Sequence, residues 1–405
     1  MFVALPNDIL YEIAEQLRYV ESDSKELTKD DSDEELFLKS GWTTFSSTRF
    51  YLSSFSKTSR RIRPIVEGVL YRDIHVDNLG WIPPSRRSWH NDKLQTHPAG
   101  SLLLLIRTLI RRPSLSSFVR GVDLRWCDGQ DAIALQELSA FLRNCPRLLR
   151  FSISDLDEEL LGVLETLKLQ ISSFATSCYS YNMERVTSCF PRLQTLQLFL
   201  HGPPILFTTP SSTHSIRRMR FHLHVSLEKF DRTCQSVLKL AGQSVEELSI
   251  VNGVHTKECP TLPFLATSTY TRLESLCVKE IDLFESEKHP SILTSMVALR
   301  HLHVMRCRVL PLKAFQCIPE NISSITFSVY GAGEPDAFLS SLVQCIRLGI
   351  ASSSWLPKGI RAEGCPSQDH PGNLVPLKDL CITENVRFEE VNSGSVTRKL
   401  TVLLS

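Results

Sequence analysis

The chain has 405 residues, 42% of them hydrophobic and 22% charged, with a formal net charge of +1. That length and balance suit a folded chain with a small domain plus a larger one. They exclude the globally basic surface of a phosphate reader, and no basic stripe stands out, so neither nucleic acid nor a membrane is expected as a partner.

Met1 to Leu10 lack the basic and apolar regions of a secretory signal. The longest aliphatic run, Leu102 to Ile106, stops at Arg107, short of the ~20 apolar residues that span a bilayer. Twelve cysteines are scattered without a C-x-x-C pair. They read as reduced thiols, and the expected compartment is the cytoplasm and/or nucleus.

From Leu5 to Leu17 (LPNDILYEIAEQL) the spacing predicts a short amphipathic helix. Pro6 sits where a first-turn N–H lacks a partner anyway, and Asp8 lies near the positive end of the helix dipole. Ile9, Leu10, Ile13 and Leu17 form one apolar stripe, with Asp8, Glu12 and Glu15 turned away. Between Glu21 and Glu35 eight acidic residues stand against two lysines, a local charge of −6. Self-repulsion and few apolar groups predict a solvated, flexible loop there. It is either an inert solubilising insert or a segment in which Ser24 and Ser32 take phosphate from an acid-directed kinase.

Periodicity resumes at Tyr51 to Arg72. Leu52 and Phe55 suit one face of a second short helix, Ser59-Arg60 marks a break, and Pro64 suits the first turn of a third helix carrying Val66, Val69 and Leu70. Three such helices bury little surface alone and need a partner or a neighbouring domain to cover them. The two stretches in order, LPNDILYEIAEQL and LSSFSKTSRRIRPIVEGVLYRDI, resemble an F-box of the fungal type, with its S-R-x-x-R-P…L-Y-R second half. The resemblance covers residues 5–17 and 51–74, and the long insert between the first two helices departs from the family pattern.

The resemblance implies docking to a SKP-type adaptor and, through it, to the cullin and RING subunits of a ubiquitin ligase. Carried over by position, Leu5, Pro6, Ile9, Leu10 and Ile13 would meet the adaptor from the first helix. Leu52 and Phe55 would do so from the second, and Val66, Leu70 and Tyr71 from the third. Helix-in-groove recognition uses this kind of stripe.

Residues 75–117 read as a connecting segment, with a helix at Leu102–Arg111 that stops before Pro113. Beyond it the pattern L-x-x-L-x-L recurs, the strand core of a leucine-rich repeat. Its copies start at Val119, Leu148, Leu193, Ile216, Val245, Leu273, Leu299, Ile322 and Leu377, with a weaker one at Ile171. From Leu148 to Ile322 the steps run from 22 to 29 residues, within the period of about 20–29 for such repeats. Asp131–Arg143, Leu227–Ala241 and Pro335–Cys345 carry helical spacing. Twice a helix is expected to end in an aromatic residue or cysteine plus proline just before the strand, at Cys145-Pro146-Arg147-Leu148 and Phe190-Pro191-Arg192-Leu193. In 346–376, Leu348–Ile350 offers a short strand, while Ser352-Ser353-Ser354 and Cys365 to Asn373 read as a long loop.

The expected architecture is α/β: a three-helix F-box in 1–74 with an acidic insert at about 18–50, then an irregular leucine-rich-repeat-like solenoid in 118–405. Parallel strands would line its concave side and helices its outside. Residues between the repeat leucines face that concave surface. Arg218, Arg220 and His222, with Lys279, His301 and His303, are the candidate contacts for a target protein, the first three for an acidic or phosphorylated segment. The His-x-His pairs, His222/His224 and His301/His303, share a strand face, but no third ligand completes a metal set, so no metal or other cofactor is expected. Neither a phosphate-cradling glycine loop nor a recognisable nucleophile motif is present. The expectation is a non-catalytic substrate receptor that acts by proximity. The alternative is a repeat scaffold whose helices only cap its N-terminal end.

Overall fold

The computed structural model describes residues 5–19, 55–75, 98–124, 135–153, 156, 158–178, 183–200, 216–224, 244–253, 270–279, 296–305, 322–328, 360–364, 386–393 and 397–404, with a few single positions between them. Leu52, the acidic run 21–35 and most of the connecting segment lie outside these residues. The chain divides into two compact units, one of 1–177 with 185–193, the other of 178–184 with 194–405.

The first unit opens with α1 (Asn7–Tyr19) and α2 (Ile62–Leu70). Leu10 and Ala14, one turn apart on α1, meet Ile62, Val66 and Val69 of α2 in a small core, with Leu5, Phe55, Ile65 and Leu70 packed at its edge. Arg61 fixes the start of α1, its guanidinium donating to the Leu5 carbonyl and to Asn7 Oδ1, each at 2.9 Å. The chain then runs directly into β1 (Asp73–His75), a strand the repeat pattern does not announce.

α3 (Pro98–Arg111) and the single turn α4 (Pro113–Ser116) lead to β2 (Gly121–Leu124). Next come α5 (Leu135–Arg143), β3 (Arg150–Ile153), α6 (Glu158–Leu167), β4 (Ser173–Cys178) and α7 (Met183–Ser188). β1 to β4 pair side by side and parallel, so that Ile74, Val122, Phe151 and Phe174 stand in one row. That row faces the core, where α5 contributes Leu138, Phe141 and Leu142 and α6 contributes Leu160, Leu161 and Leu164, all buried. The Phe174 ring lies 6.0 Å from Phe151 and 4.7 Å from Phe190. Parallel neighbours require a crossover, and the helices supply it.

The second unit carries β5 (Thr195–Leu200), β6 (Arg218–Leu223), β7 (Glu247–Asn252), β8 (Ser275–Lys279), β9 (His301–Met305), β10 (Ser324–Ser328) and β11 (Ile360–Gly364). Consecutive members pair in parallel register. Their buried row runs through Leu196, Met219, Leu248, Leu276 and Leu302, the second leucine position of each repeat. Phe230, Cys234 and Leu238, in the interval expected to be helical, are also buried and take helical positions.

A turn recurs ahead of the strands. In five repeats the N–H of the first apolar residue donates to the carbonyl three residues earlier: Val119 to Ser116, Leu148 to Cys145, Leu193 to Phe190, Leu273 to Tyr270 and Leu299 to Met296, at 3.0–3.4 Å. The acceptor residues are buried in every case. Two of these five turns contain proline, the pair the sequence displays. The others make the same bend without it.

Two expectations are corrected. The strand expected from Leu377 is absent from the described positions there: Asp379 and Thr383 are helical, and the Thr383 hydroxyl donates to the Asp379 carbonyl at 2.8 Å. A leucine pair three residues apart fits a helical turn as well as a repeat strand. The sheet also does not stay parallel. β12 (Val386–Ser393) and β13 (Thr397–Leu404) form an antiparallel hairpin, and β13 pairs antiparallel with β11. Only three residues separate them, far too few for a crossover. β11 lies between the two stretches read as loop, where no strand was expected, because Ile360 is its one large aliphatic residue.

Phe174→Ala removes a fully buried ring between two others, and an unfolding loss of about 3–5 kcal/mol is expected. Denaturant titration checks it; an unchanged midpoint would contradict the stacked core.

Candidate functional site

At about 3.6 residues per turn, α1 shows three faces. Leu10 and Ala14 point into the core, so the single stripe expected from the sequence is split. Ile9 is 45% exposed, Ile13 half-buried, and Pro6 exposed beside them. Asp8, Tyr11 and Glu15 occupy the third face. Of the residues expected to meet an adaptor, Leu10 and Val66 are therefore core, while Leu5, Phe55, Leu70 and Tyr71 are half-buried.

The third face is tied to the start of the sheet. The Arg72 guanidinium donates to Glu15 Oε2 at 2.9 Å, to the Tyr11 hydroxyl at 3.1 Å and to Asp73 Oδ2 at 3.4 Å. Arg150 of β3 donates to the other oxygen of Asp73, whose side chain is 2% exposed. Gly121 stands between Asp73 and Arg150 in the register and leaves room for that reach. Burial, then the Glu15 carboxylate, pushes the Tyr11 hydroxyl above its ordinary pKa. Burial lowers that of Arg72, but Glu15, Tyr11 and Asp73 together more than offset it, and the net direction is up. Arg72 therefore stays charged across the physiological range. Asp73→Ala takes a buried carboxylate from two guanidinium groups, and a stability loss of about 2–3 kcal/mol is expected, below the range for a fully buried pair because Arg150 is partly exposed and Arg72 keeps Glu15. Chemical denaturation of the variant checks it.

Beside this network lies a groove of about 410 Å³. Asp8 and Tyr11 of α1 line it, with Ile65 and Gly68 of α2. Phe118, Arg120 and Arg147, from the segments ahead of β2 and β3, complete it. A Cβ on Gly68 would sit 3.6 Å from the Phe118 ring, so one added methyl would close the space between α2 and Phe118.

In the second unit, register places the other candidates on the sheet face opposite the buried leucines. Arg218, Glu247, Ser275 and His301 form one row; Arg220, Ser249, Cys277 and His303 the next; His222, Val251, Lys279 and Met305 a third. Arg218 is exposed but paired with Glu247 at 3.0 Å. Arg220 and His303 are half-buried and His301 is exposed. His222 and Lys279 are buried, which removes both from an open binding surface. The His222 ring stacks on His224 at 4.6 Å and lies 5.7 Å from Phe199. Gly253 is required beneath them, since a Cβ there would fall 2.5 Å from His224 and 2.7 Å from His222. Phe199 and Gly253, which the sequence reading passed over, shape this corner. Among the described residues no three metal-ligating side chains converge, and no helix is long and apolar enough to cross a membrane.

The Cys145 thiol is pushed up to about 12 and that of Cys189 to about 11, both by burial. At pH 8 each is almost wholly protonated, the unreactive form. Maleimide at that pH should leave both unlabelled in the folded chain and label both in denaturant, read by mass spectrometry of the peptides.

No model of a known protein family matches this chain. A search of curated proteins likewise finds no match.

Proposed function

We propose that this chain is a non-catalytic substrate receptor of an adaptor–cullin–F-box ubiquitin ligase, docking a SKP-type adaptor through the N-terminal helices. The observation that supports it is the split of α1: a core of Leu10 and Ala14 already satisfied, and beside it Ile9 left 45% exposed with Pro6 and Ile13 alongside. An apolar strip that its own fold does not cover is what a partner helix or groove would take. The repeating strands and crossover helices fit a degenerate leucine-rich-repeat-like body, with a target protein held on the face carrying Arg218, Arg220, His301 and His303. Ligase chemistry then belongs to the other subunits, in the cytoplasm and/or nucleus.

A second reading has its own support. The hydrogen bonds from Arg72 to Tyr11 and Glu15 seat α1 on the first strand, as a cap of a repeat scaffold would be seated. Ile9→Asp separates the two. Ile9 is exposed, so the substitution should shift stability by no more than about 0.5 kcal/mol. Co-purification with a SKP-type adaptor should be retained by the native chain and lost in Ile9→Asp. A folded native chain that captures no adaptor would leave the cap reading standing.

A further inference from the structure

We infer that the groove between α1, α2 and the segments ahead of β2 and β3 is a second binding site, for an acidic peptide segment of a protein partner. The groove is distinct from the proposed adaptor strip, because none of the ten residues expected to dock the adaptor lines it. Three guanidinium groups reach it, Arg72, Arg120 and Arg147, against one carboxylate, Asp8. Arg72 is held by Glu15 and Asp73. Arg120 and Arg147 are exposed and enter no ion pair among the described residues.

The apolar side of the groove gives the second observation. Tyr11 is 42% exposed at its wall, and Phe118 is half-buried against α2. Pro64, exposed, and Ile65, half-buried, continue that lining on α2. Guanidinium groups beside exposed aromatic and aliphatic surface match a peptide that alternates carboxylates with apolar side chains. A lone phosphate would leave the apolar wall bare. The arginine backbones already serve the fold, with the Arg120 carbonyl accepting from Leu149 and Arg150 N–H, so the side chains are the part left for a ligand.

The test is fluorescence anisotropy of the full chain with a labelled peptide of alternating glutamate pairs and phenylalanine or leucine. The same peptide with glutamine for glutamate, and a labelled RNA oligonucleotide, serve as the other arms. The acidic peptide should bind, and weaken by about tenfold or more in Arg120→Glu/Arg147→Glu and less in Arg120→Ala/Arg147→Ala. The charge-matched control Arg192→Glu/Arg300→Glu, on exposed arginines elsewhere, should bind as the native chain does. Adaptor capture should be unchanged in the Arg120→Glu/Arg147→Glu chain, so the two proposals fail separately. No binding by the native chain, equal binding of the glutamine peptide, preference for RNA, or equal loss in the control pair would each overturn the inference.

Discussion

The buried carboxylate of Asp73 is the constraint around which the first unit is arranged. A carboxylate out of water is costly unless it is paired on both oxygens, and here Arg72 and Arg150 supply the pairs. Arg72 in turn holds Glu15 and Tyr11 of α1. One carboxyl group thus connects a helix at the N-terminus with the third strand of the sheet. The register makes this possible, since only a glycine intervenes between Asp73 and Arg150. The helical pair is therefore part of the folded body and not a detached arm.

That seat determines what α1 has left to offer. Its inner face is spent on Ile62, Val66 and Val69, and its charged face on Arg72. The remaining face, with Ile9 and Ile13, has no comparable use within the described residues. A small helical pair buries too little surface to stand alone, and the sheet beneath α1 lends it rigidity while leaving that strip open. Rigid presentation lowers the ordering cost of binding.

Much of the fold could be read in advance because the repeat signal is physical. Leu196, Met219, Leu248, Leu276 and Leu302 recur where each strand must face its core, and each is buried. α5 and the helical positions at Phe230, Cys234 and Leu238 followed from helical spacing, whereas α6 and α7 were not anticipated. What escaped reading had weaker or ambiguous patterns. β1 is three residues long, and β11 carries one large aliphatic residue. The L-x-x-L at Leu377 serves a helix equally well. The turn before each strand showed only where proline marked it, although Tyr270 and Met296 make it too. For the candidate site, parity along a strand puts Arg218, Arg220, His222 and Lys279 on one face, and the register gives them that shared face. It did not foresee that His222 and Lys279 are buried, which depends on neighbours outside the strand. The Asp73 network was invisible because its members lie far apart in sequence: Glu15, Arg72, Asp73 and Arg150.

The central claim is that the exposed strip of α1 is a protein-docking surface. Site-specific photo-crosslinking tests it most directly, with a benzophenone side chain replacing Ile9 in the full chain and, as a control, the exposed Val297. In the presence of a SKP-type adaptor, a covalent adduct with the adaptor is predicted from the first position and none from the second. A folded chain that yields no adduct from the first position, or equal adducts from both, would contradict it.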